Sequence, residues 1–138
     1  MNLRGASAMP ENEIPRPTDG ELEILKVLWR RGPSTVREVF ETLFETRGTG
    51  YTTVLKLMQI MADKGLVVRD ESERAHRYEA AAPEEETQRQ LVGDLLQKAF
   101  DGSAKKLVLQ ALSSDAASAG ELADIRRMLD ELEEGGRR

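Results

Sequence analysis

Between residues 18 and 82 the hydrophobic and polar positions run through three helical periods and then two strand-like ones. Leu22, Leu25, Leu28 and Trp29 recur at three- and four-residue steps, which places them on one face of a helix. Thr18 and Glu21 have the Ser/Thr-x-x-Glu spacing, in which each side chain satisfies the other residue's backbone N–H. This helix is therefore expected to begin at Thr18 and to stop at Gly32-Pro33. A second helix follows from Ser34 or Thr35, with Thr35 and Glu38 as its own capping pair. Val36, Val39, Phe40, Leu43 and Phe44 form its apolar face. The two glycines of TRGTG make a connector. A third helix is predicted over residues 51–64, burying Val54, Leu57, Met58, Met61 and Ala62, with Gly65 as its left-handed stop. Leu66-Val67-Val68 then reads as a strand and DESE as a turn. AHRYEA reads as the return strand, with His76, Tyr78 and Ala80 on one face and Arg77 and Glu79 on the other.

Three short helices followed by a hairpin is the order of a winged helix-turn-helix. The fold class expected is thus mainly α with a small β-hairpin wing, spanning 18–82, followed by a three-helix dimerisation region over 83–134. Pro83 and the acids behind it fit a helix N-terminus. Leu91, Val92, Leu95, Leu96, Ala99 and Phe100 carry that helix to a break at Asp101-Gly102-Ser103, with Ser103 able to cap the next. Leu107, Val108, Ala111 and Leu112 form a second apolar face. Ser118 and Glu121 form a third capping pair, ahead of Leu122, Ile125, Met128, Leu129 and Leu132. A unit of about 50 residues buries too little apolar surface to stand comfortably alone. We therefore expect it to pair with a second copy through Leu91, Leu95, Phe100, Leu107, Val108, Leu112, Leu122, Ile125 and Leu129. A monomer whose C-terminal helices fold back on the N-terminal domain is the alternative. Residues 1–17, with Pro10, Pro15 and Pro17, are expected to be a disordered tail outside the core. The other reading of that tail is a DNA-contacting arm through Arg4 or Arg16. Residues 135–138 are expected to fray.

Charge changes the picture only in its distribution. The whole chain of 138 residues carries a net charge of −5. Residues 1–82 hold 12 Lys and Arg against 13 Asp and Glu, or −1; residues 83–138 hold 8 against 12, or −4. The acid excess sits in the C-terminal part, so the acidic total does not bar the N-terminal part from phosphate. No cysteine is present, which removes disulfides and thiolate metal sites and is compatible with a reducing cytoplasm. MNLRGASAM has no apolar secretory core, and no apolar run approaches the roughly 20 residues that span a bilayer, so membrane insertion is not expected.

Candidate chemistry narrows further. The single histidine, His76, lies between arginines in the hairpin with no nucleophile or acid at a triad-like spacing. There is no HExxH, phosphate-binding loop or GxSxG. No catalytic residue, metal or cofactor is expected. The demands of DNA reading are met more fully. A recognition helix presents polar side chains from its N-terminal turns to base edges. Thr52, Thr53, Lys56 and Gln59 do so here: threonine meets base edges, phosphate or a thymine methyl, glutamine bonds bidentate to adenine, and lysine favours guanine or phosphate. Tyr51 packs under the helix start or touches phosphate, and Arg74 and Arg77 on the wing face the flanking backbone.

TDGELEILKVLWRRGPSTVREVFETL, GYTTVLKLMQIMADKGLV and RAHRYEA, taken together, resemble the DNA-binding domain of the BlaI/MecI penicillinase-repressor family. KKLVLQAL followed by ELADIRRMLDELE resembles the same family's dimerisation segment, so the resemblance covers roughly residues 18–134. It implies a homodimeric transcriptional repressor on a palindromic double-stranded operator, holding down genes for β-lactam resistance or a related envelope response. It also implies a membrane sensor-metalloprotease that relieves repression by cleavage in the dimerisation region. The matching place here is Ser103-Ala104, where well-known members carry an Asn-Phe type bond. A copper-responsive branch carries C-terminal cysteines, which this chain lacks. Two other readings stay open: a winged-helix adaptor that binds protein and no DNA, and a regulator responding to a small molecule held between the C-terminal helices.

Overall fold

A computed structural model of the chain describes residues 14–113 and 117–136. Its elements are α1 (Asp19–Arg31), α2 (Val36–Arg47), α3 (Tyr51–Lys64), β1 (Val67–Asp70), β2 (Arg77–Ala80), α4 (Glu84–Phe100), α5 (Ala104–Ser113) and α6 (Ala119–Gly136). This is the predicted class, mainly helical with one antiparallel hairpin. The chain divides into two compact units after Gly93, inside α4.

The N-terminal unit is closed by local signals first. Thr18 Oγ1 accepts from Glu21 N–H at 3.3 Å while Glu21 Oε1 accepts from Thr18 N–H at 2.9 Å. Thr35 and Glu38 repeat the exchange at 3.2 and 2.9 Å. Such caps contribute about 1 kcal/mol each. Gly65, at φ 86°, ends α3, and the Leu66 N–H reaches back to the Met61 carbonyl at 2.9 Å. A side chain at Gly65 would be strained in that left-handed conformation.

The core gathers Ile24, Leu25, Val27 and Leu28 of α1, Val39 and Leu43 of α2, and Val54, Met58 and Met61 of α3 with Leu66, Val67 and Tyr78. It corrects two predicted faces. On α1 the fully buried positions include Ile24 and Val27, whereas Leu22 and Trp29 are half-buried. The reason is that α2, α3 and β2 all pack on α1, so its buried stripe is wider than one leucine row. Trp29 instead donates its indole N–H to the Ala82 carbonyl at 3.0 Å. On α2, Phe44 is 57% exposed, its ring resting 5.6 Å from that of Phe40.

Long-range polar contacts complete this unit. Glu21 is 2% exposed and takes the Lys64 ammonium at 2.7 Å, tying the start of α1 to the end of α3. Burial pushes the Glu21 carboxyl's pKa up, but the Lys64 hydrogen bond and the Thr18 N–H outweigh it and hold it below the ordinary value. Ile14 is buried and its carbonyl accepts from Gln90 Nε2. The expected tail therefore joins the core at Ile14; residues 1–13, Arg4 among them, lie outside the described residues. β1 and β2 pair with Arg69 opposite Tyr78. A further bridge crosses the other edge of β2: Ser34 N–H donates to Tyr78 O at 2.9 Å and Tyr78 N–H to Ser34 O at 2.8 Å. The root of the wing is thus pinned to the α1–α2 turn.

The C-terminal unit has ordered helices and no core of its own. From Asp94 onward no described residue is buried. Asp101 (φ 50°) and Gly102 (φ 83°) turn the chain between α4 and α5, and Ser103 Oγ accepts the Lys106 N–H at 3.1 Å, as expected of a cap. Ser118 Oγ accepts from Glu121 N–H at 3.1 Å. α6 continues through Gly135 and Gly136, into the segment expected to fray; Arg137 and Arg138 lie outside the described residues.

Candidate nucleic-acid interface

An α-helix turns about 100° per residue, so Thr52, Lys56 and Gln59 share one stripe of α3. That stripe lies opposite the buried Val54, Met58 and Met61, and all three of its residues are exposed. Asp63 continues it toward the C-terminus. The start of α3 adds a second feature. Its N-cap is Gly50, which supplies no side-chain acceptor, and its first turn holds no acidic residue. The N–H groups of that turn are therefore left for an outside acceptor, and the positive end of the helix dipole favours an anion.

The other predicted residues are distributed around this stripe. Tyr51 is 41% exposed and meets Phe40 edge-on at 5.5 Å. It opens onto a hollow that also holds Gln59 and Arg74, together with Thr35, Arg37, Arg69 and His76. Thr53 falls on the opposite flank, beside Asp19, Glu23, Arg47 and Thr49. Arg77 turns away from the hollow, to Glu38 at 3.5 Å and Glu73 at 3.7 Å. The structure thus brings Tyr51, Gln59 and Arg74 together, keeps Thr52 and Lys56 on the adjoining ridge, and separates Thr53 and Arg77 from them.

Sequence reasoning passed over Arg37 and Arg69. Arg37 is the second residue of α2, and Arg69 is the outward neighbour of Val68 on β1; a search for arginine near helix starts and on both wing strands finds them. Their charges are partly spoken for. Arg69 pairs with Glu71 at 2.6 Å, and Arg37 lies 3.9 Å from Glu41 and 5.9 Å from the Phe40 ring centre. Among the described residues, Lys56 and Arg74 make no ion pair. Glu38 carries a lowered pKa, first because the Thr35 N–H bonds its carboxylate and then through Arg77 and Arg31. Its charge is present at neutral pH.

The positions predicted for a dimer interface all lie on α4, α5 and α6. Leu91, Phe100, Leu107, Leu112, Leu122 and Ile125 are half-buried; Leu95, Val108 and Leu129 are exposed. Leu109, Met128 and Leu132 are bare as well, Leu132 at 72%. They extend the apolar stripes by one helical step, and the sequence pattern had already placed two of them there. Ser103 and Ala104 sit at the first turn of α5. Among the described residues no cluster of three or more His, Asp or Glu is placed to hold a metal ion, and no helix is long and apolar enough to cross a membrane.

The penicillinase repressor family model matches residues 17–131. The transcriptional regulator BlaI of Mycobacterium tuberculosis is 36% identical over 128 residues, covering 89% of each chain. The penicillinase repressor of Bacillus licheniformis is 24% identical over 119 residues, covering 86% of this chain and 93% of that one. A solution structure of the Bacillus licheniformis BlaI monomeric form in complex with the blaP half-operator superposes at TM-score 0.48 with 26% identity. It covers 53% of this chain and 89% of the other.

Proposed function

This chain belongs to the penicillinase repressor family, and on that premise we propose that it is a homodimeric repressor that occupies a palindromic operator and excludes transcription. The observation that carries the reading is the α3 stripe: Thr52, Lys56 and Gln59 stand exposed opposite the core, next to a helix start with no side-chain cap. Base edges are read by that stripe, with Thr53 at its flank. Tyr51 and the first-turn amides of α3 meet phosphate, and Arg74 and Arg77 of the wing hold the neighbouring backbone.

Two copies pair through the bare apolar faces of the C-terminal unit. Bare apolar side chains repeated along separate helices mark a partner surface. Pairing supplies two recognition helices for half-sites about 34–36 Å apart, one turn of DNA. The second half-site then binds without a fresh loss of orientational freedom. Relief of repression by a membrane sensor-metalloprotease cutting at Ser103-Ala104 belongs to the same reading, as does control of β-lactam resistance or envelope genes. The exposed Asp101-Gly102 turn ahead of that bond supports access. The test is a titration of the duplex upstream of the gene, and of a scrambled duplex, at several salt concentrations. Tight, salt-steep binding to a palindrome in the first is expected. A chain that binds neither duplex at low salt would be an adaptor and not a repressor.

A further inference from the structure

Resting on that DNA reading, we infer that Glu38 is a specificity-determining residue: its carboxylate competes with DNA phosphate for Arg31 and Arg77. Glu38 is the third residue of α2, and three groups converge on it. Oε1 accepts the Thr35 N–H at 2.9 Å, Arg77 Nη1 lies 3.5 Å from Oε1, and Arg31 Nη2 lies 3.5 Å from Oε2. These residues come from α1, α2 and β2. They meet because the Ser34–Tyr78 bridge holds the root of the wing beside the start of α2.

All three side chains stay solvent-accessible, at 34% for Glu38, 45% for Arg31 and 44% for Arg77. Pairs this exposed are weak and exchange partners readily. Thr35 and Arg37, which precede Glu38 at the start of α2, line the hollow next to Gln59, while Glu38 and its arginines stand outside it. A phosphate arriving beside that hollow, at the start of α2, meets two guanidiniums already engaged by a carboxylate. Sequence-independent attraction is thereby reduced, and discrimination is left to the α3 stripe. The cap explains why the charge is fixed at this place: the same Oε1 that holds Arg77 also closes the start of α2.

Glu38→Gln separates the two roles, because the amide oxygen still accepts the Thr35 N–H while the charge is gone. In the full-length protein the variant is expected to melt with the wild type and to bind a scrambled duplex about three- to ten-fold tighter. Its log K against log salt slope steepens by about 0.9 for each arginine released. Operator binding tightens less, so the specificity ratio falls. Glu38→Gln combined with Arg77→Met restores part of the wild-type slope. An unchanged slope, or equal weakening on both duplexes, overturns the inference while leaving the repressor reading intact. A wild type that binds no duplex removes the repressor reading itself. If Glu38→Gln does not fold, single replacements decide. Arg74→Met, at an unpaired arginine, is expected to flatten the slope by about 0.9, and Arg77→Met by less; equal losses overturn the inference.

Discussion

The two units of this chain solve the same problem in opposite ways. The N-terminal unit buries aliphatic side chains from three helices and the hairpin, and even the Glu21 carboxylate, inside one short chain. The C-terminal unit has well-formed, capped helices of comparable apolar content, and not one described side chain from Asp94 onward is buried. Periodicity alone therefore does not tell a finished core from half of one. What distinguishes them is closure: α1, α2, α3 and the hairpin cover one another, whereas α5 and α6 leave Leu109, Met128, Leu129 and Leu132 bare. Stability in the first unit is a property of the chain; under the pairing proposed above, in the second it becomes a property of protein concentration.

That contrast can be broken from either side. Leu95→Asp or Leu129→Asp is expected to dissociate the dimer and to lower operator affinity by about 10²–10⁴-fold, since only avidity is lost. Sedimentation and a gel shift check this, and an intact dimer removes those positions from the interface. Met58→Ala, in the closed core, is expected to cost about 2–5 kcal/mol in urea unfolding and to leave sedimentation of the folded fraction unchanged. Lys56→Ala touches neither core nor interface; it should lower operator affinity by about 1–3 kcal/mol with the melting temperature unmoved. The smallest effect concerns Glu21. Its carboxyl is held below the ordinary pKa of about 4.3, so its contribution is complete above that value and is lost as pH falls through the folded one. Acid titration of the melting temperature should be flatter for Glu21→Gln than for the wild type.

The parts legible in the sequence were those encoded within four residues. The capping pairs Thr18–Glu21 and Thr35–Glu38, the Gly65 stop and the exposed stripe of α3 follow from local spacing, and the structure contains each of them. What escaped was contact between distant positions. The Ser34–Tyr78 bridge, the Lys64–Glu21 pair and the seat of Ile14 against Gln90 join residues more than 40 apart, and nothing in periodicity announces them. The same gap explains Arg77. It reads as a free wing arginine in the sequence, and only the bridge brings Glu38 to it. Phe44 shows the converse: a perfect helical phase does not bury a ring when no neighbouring element lies above it.

The clasp between Ser34 and Tyr78 is made by backbone atoms alone. It holds whatever side chains the rest of the hairpin carries, so the span from Glu71 to His76 behaves as an exchangeable cassette on a fixed mount. Loops of other lengths can be spliced between the two strands to redirect contacts along the double helix; Arg74 and His76 change with the loop, while the α3 stripe and the interior need no redesign.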